Sequence, residues 1–210
     1  MLDCYILPVA AKDAAKEADP PLVVGIGGTV RPSSSTERVL RAALDSAGAA
    51  GAETVQFAGS QLARLPLYSP ADSERSSGAL ELVEAVRRAD GLIVASPGYH
   101  ASISGMVKNA LDYLEDLRED GRPYLSGRGV GCIATGTGWQ AAVSTLAALR
   151  AIVHALRGWP TPLGAAVNTA DGRGAGEEAK ARLQLQTVGA EVVEFARRQR
   201  HALEGATSAV

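Results

Sequence analysis

Short apolar runs alternate along this chain with longer stretches in which apolar residues recur every three or four positions. Leu22-Val23-Val24-Gly25-Ile26-Gly27 has the continuous, β-branched character of a strand buried on both faces. Residues 36–50 place Val39, Leu40, Ala43, Leu44 and Ala47 at helical spacing. The alternation continues with a strand over Glu53–Ala58 and a helix over 76–90 with Leu80, Val83 and Val86 on one face. A strand over Gly91–Ser96, stopped by Pro97, leads to a helix over 104–118. A strand over Gly129–Thr135, a helix over Trp139–Leu156, a strand over Leu163–Val167 and a closing helix over Gly176–Ala202 complete the series. Asp19-Pro20-Pro21 breaks the chain before the first strand, which separates an arm over 1–20 from a domain over 21–203. A short tail follows over 204–210.

Strands separated by helices pair in parallel through right-handed crossovers. Five of them, with no sixth repeat, predict an α/β three-layer sandwich of the flavodoxin-like kind, with strand order 2-1-3-4-5. In such a sheet ligands bind beyond the carboxyl ends of the strands, beside the first, so chemistry belongs in the loops after strands one, three and four.

Composition narrows the choice little. At 210 residues, 46% apolar and 21% charged, the chain suits one globular domain, and its net charge of −2 points to neither nucleic acid nor an anionic membrane. No apolar run reaches the ~20 residues of a membrane-spanning helix, and the first residues lack the basic start and apolar middle of a signal peptide, so a cytoplasmic location is expected. Cys4 and Cys132 stand far apart; Cys132 reads as a buried strand residue and Cys4 as a tail thiol. His100, His154 and His201 are scattered, and His154, inside an apolar helix, reads as packed. No metal site is expected.

The loop after the first strand runs Gly27-Gly28-Thr29-Val30-Arg31-Pro32-Ser33-Ser34-Ser35-Thr36 and enters a helix. Glycines permit a tight turn, hydroxyls and free amides at a helix start donate to an anion, and Arg31 adds a fixed cation. A helix cap behind a polar turn uses the same residue types. The loop lacks the lysine of a Walker loop, and Val30 takes the third glycine position of the dinucleotide fingerprint. A loop so rich in hydroxyls suits a terminal monophosphate better than a pyrophosphate. The second loop, Ser96-Pro97-Gly98-Tyr99-His100-Ala101-Ser102-Ile103-Ser104-Gly105, continues into Met106-Val107-Lys108-Asn109-Ala110-Leu111-Asp112. The third is Ala134-Thr135-Gly136-Thr137-Gly138-Trp139-Gln140.

Together the first two loops resemble the NADPH-dependent FMN reductase family, flavodoxin-like proteins that include azo-, quinone- and chromate-reducing members. That family carries a Gly-Ser-x-Arg-x-x-Ser type loop after strand one. After strand three it carries a Pro-x-Tyr-Asn/His-x-Ser-x-x-Gly-x-x-Lys-Asn-x-Leu-Asp motif. The resemblance covers about residues 22–195 and implies that Thr29, Arg31, Ser33, Ser34, Ser35 and Thr36 surround the phosphate of flavin mononucleotide (FMN). It implies further that Pro97, Gly98, Tyr99, His100 and Ser102 line the ribityl chain and one edge of the ring. On the bare residues, Tyr99 and His100 equally suit an ordinary polar turn. Thr135, Gly136, Thr137 and Gly138 would meet the polar edge of the ring, and Trp139 either covers it or packs at the helix start.

Two departures stand out: relatives often have Glu at the place of Gly98 and Asn at that of His100. The resemblance implies hydride transfer from NADPH or NADH to flavin, with no catalytic side chain of the protein's own. Electrons would pass on to free flavin, a quinone or another small acceptor, or reduced flavin to a monooxygenase. Family members pair as dimers or tetramers, which makes the stretch from Val143 to Val153 an interface candidate. Lys108 and Asp112, one turn apart, suit an intrahelical pair or a contact between subunits. The other readings of the fold are an electron carrier, against which the small net charge argues, and a flavoprotein that oxidises a specialised substrate without nicotinamide.

Overall fold

Each apolar run becomes a strand and each helical repeat a helix that covers it. A computed structural model of the protein describes residues 19–170 and 174–207, and the arm expected over 1–20, with Cys4, lies outside these apart from Asp19 and Pro20. In chain order the elements are β1 (Leu22–Gly27), α1 (Ser35–Ala49), β2 (Glu53–Phe57), a one-turn α2 (Gly59–Leu62) and α3 (Ser77–Arg88). Then come β3 (Gly91–Tyr99), β4 (Ser102–Ile103), α4 (Gly105–Asp112), a tighter 3-10 turn over Tyr113–Leu117, and β5 (Gly129–Gly136). The chain ends with α5 (Trp139–Ala155), β6 (Trp159–Pro160), β7 (Ala165–Asn168) and α6 (Ala175–Thr207).

The sheet order is β2-β1-β3-β5, with β6 and β7 both pairing with β5 in parallel. This is the 2-1-3-4-5 arrangement with its fifth strand in two pieces. β6 lies against Gly129 and Val130, and β7 against Ile133 to Gly136. The ladder holds through Thr161, whose N–H donates to the Val130 carbonyl, and lapses at Leu163, whose N–H goes to the Glu191 carboxylate instead; Pro160 and Pro162 fall at the alternate positions that face the open edge. On one face α1 and α6 pack over Val23, Ile93, Ile133 and Val167; on the other, α3, α4 and α5 cover Val24, Ile26, Leu92, Val94 and Val130. At the amino ends of the strands, the Asp90 carboxylate accepts from the Leu22 N–H and from the Arg200 guanidinium. Arg128, 1% exposed, donates to the backbone oxygens of Ala89, Arg87 and Tyr124.

Several expectations need correction. β3 runs through Pro97 to Tyr99, because β1 has already ended at Gly27 opposite Ala95 and the missing N–H falls where β3 keeps only β5 as a parallel neighbour. The helix over 104–118 ends as an α-helix at Asp112 and tightens, since Tyr113 and Asp116 are drawn to the segment after α2. Leu80 is 57% exposed, whereas Ala79, Leu82, Val83 and Val86 form the buried stripe of α3. His154 is exposed, not packed: α5 buries Ala142, Thr145, Leu149 and Val153, and an alanine-rich helix hides its inner face from periodicity. Cys132 is buried in β5, as read.

Candidate functional site

Three loops leave the carboxyl ends of β1, β3 and β5 side by side. In the first, Gly27 and Gly28 adopt φ 159° and 124°. The second value belongs to the region that favours glycine, and a Cβ on Gly28 would lie 2.7 Å from the Gly59 nitrogen. Gly59 in turn lies so close to Thr29 that a Cβ there would meet its carbonyl oxygen at 2.0 Å. The start of α2 therefore presses the loop into shape. Thr29 closes the turn, its hydroxyl accepting from the Arg31 N–H at 3.2 Å and donating to the Arg31 carbonyl at 3.3 Å. Arg38 donates to the carbonyl of Ser33, whose φ of 53° marks a left-handed turn.

Ser34 is the cap of α1: its hydroxyl oxygen accepts from the Glu37 N–H at 3.2 Å. That oxygen is committed to the helix, so Ser34 serves the cap as well as any ligand. Among the described residues, no protein acceptor meets the backbone N–H groups of Ser33, Ser34, Ser35 and Thr36. Four consecutive donors stand at the positive end of a 15-residue helix with Arg31 exposed beside them, an arrangement whose electrostatics suit an anion.

Thr36 reaches across to the third loop. Its hydroxyl and that of Thr135 lie 2.7 Å apart, both side chains nearly inaccessible. The bond ties the first turn of α1 to the end of β5. Beyond it, Gly136 packs under α5, where a Cβ would meet the Ala142 nitrogen at 2.9 Å. Thr137, Gly138 and Trp139 then enter α5, whose cap residue Gly138 has no side chain to satisfy the helix start. The N–H groups of Thr137, Gly138, Trp139 and Gln140 likewise meet no protein acceptor among the described residues.

The second loop is a tight hairpin. β3 and β4 pair antiparallel, Tyr99 opposite Ser102, and the two turn residues His100 and Ala101 have φ 51° and 63°. Gly98 sits beneath α5, and a Cβ on it would lie 2.6 Å from the Thr145 hydroxyl and 3.0 Å from the Ala141 carbonyl oxygen. Thr145 also donates to the Ser102 carbonyl. Ser96, fully buried, accepts from the Ser104 N–H at 2.9 Å, and the Ser104 hydroxyl caps α4.

Gly28, Thr29, Pro97 and Tyr99 line one cleft of about 170 Å³ together with Val30, Ser104, Gly105 and Met106. The first two loops are thus one site. Arg31, Ser33, Ser35, His100, Ser102 and Thr137 stand outside this cleft on exposed or partly exposed rims, and Ser34, Thr36 and Thr135 lie buried beneath. Ser104, Gly105 and Met106 were missed from the sequence. A serine directly before a helix was the available signal for the first; nothing local marks the other two, or Gly59. The remainder of the long motif faces elsewhere: the Asn109 side chain donates to the Pro66 carbonyl and accepts from the Tyr68 N–H, fastening the segment after α2. Lys108 pairs with Asp112 within α4. Among the described residues no group of three metal-ligating side chains converges, and no helix is long and apolar enough to cross a membrane.

A parallel sheet in this order, with its loops gathered beyond the carboxyl ends of β1, β3 and β5, defines a flavodoxin-like fold. The chain belongs to the NADPH-dependent FMN reductase family, whose model matches residues 21–172. It is 38% identical to a quinone reductase of Escherichia coli over 71 residues, 30% of this chain and 37% of that protein. It is 34% identical to an FMN-dependent NADPH-azoreductase of Staphylococcus aureus over 103 residues, 49% of this chain and 51% of that protein. The matched segments thus span about half or less of these relatives. In fold, the chain is similar to an oxidoreductase from Corynebacterium diphtheriae, with a TM-score of 0.72 at 21% identity, covering 86% of this chain and 99% of that one.

Proposed function

We propose that the protein is an NAD(P)H-dependent oxidoreductase that holds FMN across its three loops and reduces a small acceptor such as a quinone, an azo compound or free flavin. The observation that carries this is the Thr36–Thr135 bond, which sets the anion site of α1 and the open amides of α5 in one frame. The residues fit the cofactor. Four unpartnered amides and Arg31 match a terminal phosphate, and the polar rim after β5 matches the amide edge of a pyrimidine ring. The cleft between Thr29 and Tyr99 is lined largely by carbon. When bound, FMN supplies a two-electron centre between a reduced nicotinamide and the acceptor.

The side chains then have positional tasks. Ser33, Ser34, Ser35 and Thr36 present backbone donors to the phosphate, with Arg31 as counter-charge and Thr29 holding the turn. Pro97, Gly98, Tyr99, His100 and Ser102 form the wall beside the ring, and Tyr99, 54% exposed, offers its aromatic face there. Thr135, Gly136, Thr137 and Gly138 meet the polar edge. No side chain of the site is required to carry a proton or form a covalent bond. The protein acts in the cytoplasm as a homodimer or homotetramer, with exposed Val143 on α5 toward the neighbouring subunit. The folded unit over 21–203 carries every residue given these tasks. Hand-over of reduced flavin to a monooxygenase is the route to be expected if FMN is held loosely.

Anaerobic mixing of the FMN-loaded protein with NADPH and, separately, NADH tests the reading. Loss of the flavin absorption band with at least one of them, and its return on adding quinone, is expected. A band unchanged by either nucleotide removes the reductase assignment.

A further inference from the structure

Along the carboxyl edge of the sheet the site features follow strand order: the anion loop after β1, the tyrosine hairpin after β3, the glycine loop after β5. β7 comes next, one strand spacing of about 4.8 Å further on. Here the edge opens into a second cleft, of about 380 Å³, between the end of β7, the start of α5 and the first turns of α6. Its lining is chemically mixed in a particular way. Trp139, 50% exposed, directly follows the third loop and supplies an aromatic face. Glu177 and Lys180, three residues apart on α6, share a helix face and place an acceptor and a cation on the opposite wall. Asn168 closes the floor; its Oδ1 accepts from the Ala170 N–H, which leaves the amide nitrogen as a donor.

We propose that this cleft receives the adenosine-phosphate end of the nicotinamide donor. A flat base stacks on an indole whatever its edge pattern. The ribose hydroxyls find a carboxylate in Glu177 and an amide in Asn168, and a phosphate finds Lys180. An acceptor-only or cation-only cleft would suit a simple anion or cation; the combination of ring, carboxylate, amide and ammonium suits a nucleotide. The position also agrees, since the donor's other end must lie over the flavin, one strand back. The inference rests on the FMN reading of the neighbouring loops and assigns Trp139 to the donor rather than to the flavin.

Calorimetric titration of the full chain, with and without FMN, using 2′,5′-ADP and 5′-AMP as probes, tests it without any turnover. Both probes are expected to bind the FMN-loaded chain. Trp139→Ala should weaken both at least tenfold. Lys180→Ala should weaken 2′,5′-ADP at least tenfold while leaving FMN affinity unchanged. A preference for 2′,5′-ADP over 5′-AMP assigns NADPH as donor, and equal binding assigns NADH; each supports the cleft. Absence of binding by both probes overturns it, as do affinities unaltered by Trp139→Ala and Lys180→Ala. A chain that takes FMN but no adenosine nucleotide sinks this inference alone. One that refuses FMN yet binds 2′,5′-ADP sinks the reductase reading and leaves the cleft.

Discussion

The hydroxyls of Thr36 and Thr135 meet at 2.7 Å in the interior, 99 residues apart in sequence, and join the loop after β1 to the loop after β5. Removing one partner strands the other without water. Thr36→Val is therefore expected to cost about 1–3 kcal/mol of stability, and the double variant Thr36→Val/Thr135→Val less than Thr36→Val alone, because two methyls can replace a bonded pair at little cost. Urea unfolding of the two single variants and the double variant measures this coupling. Strictly additive losses would show that the bond is not an energetic unit.

The hairpin after β3 turns through two residues with positive φ, His100 and Ala101. Two-residue turns of this kind favour Asn-Gly, since other side chains strain there by about 1 kcal/mol or more each. His100→Asn/Ala101→Gly should accordingly raise the melting temperature by about 2–4 °C per kcal/mol relieved. A lower melting temperature would mean that His100 makes a stabilising contact larger than the strain.

Gly98 lies where relatives often carry Glu, yet here α5 crosses directly over it. Gly98→Ala is expected to destabilise by about 1–3 kcal/mol and to weaken FMN binding, as the hairpin must move away from Ala141. Adding Thr145→Ala should not restore stability, because the Ala141 carbonyl remains in place and the bond to Ser102 is lost. Melting curves with and without FMN give both readouts, and an unchanged melting temperature in Gly98→Ala would contradict the packing.

How legible the molecule is in its sequence depends on which force shapes each part. The five parallel strands and the 2-1-3-4-5 order follow from runs such as Leu22–Gly27, because strands buried on both faces must be apolar throughout. The shape of the loop entering α1 is equally local: glycines, hydroxyls and an arginine at a helix start. What escapes is long-range. Nothing near Thr36 indicates that its partner is Thr135, and nothing near Gly59 reveals that Thr29 presses on it. The exposure of Leu80 and His154 is settled by which face meets the sheet, and α5 is too rich in alanine to declare one. The antiparallel β4 is two residues long and exists because of the turn before it. The cleft beside Trp139 is assembled from three elements far apart in the chain.

Burial pushes the Cys132 thiol up to about 12 from an ordinary value of 9.0. The folded chain thus holds this proton where the unfolded chain releases it. The stabilisation is complete below pH 9 and disappears as pH rises toward about 12, at a slope approaching 1.4 kcal/mol per pH unit within that window. Relative to a Cys132→Ala variant, the native chain should lose stability between pH 8.5 and roughly pH 10 by on the order of 1 kcal/mol, measured by urea unfolding. Parallel curves for the two proteins would refute the burial argument. The same burial keeps Cys132 unreactive toward thiol reagents until the chain unfolds.

The central claim is that the amides entering α1 grip a single phosphate whose attached flavin lies against Tyr99. Titration of FMN and, in parallel, riboflavin into the flavin-free protein, followed by calorimetry, tests it most directly. The account predicts one FMN per chain, riboflavin bound at least a hundredfold more weakly, and an Arg31→Ala variant that narrows this gap. Equal affinity for FMN and riboflavin, or no binding of either, would contradict it.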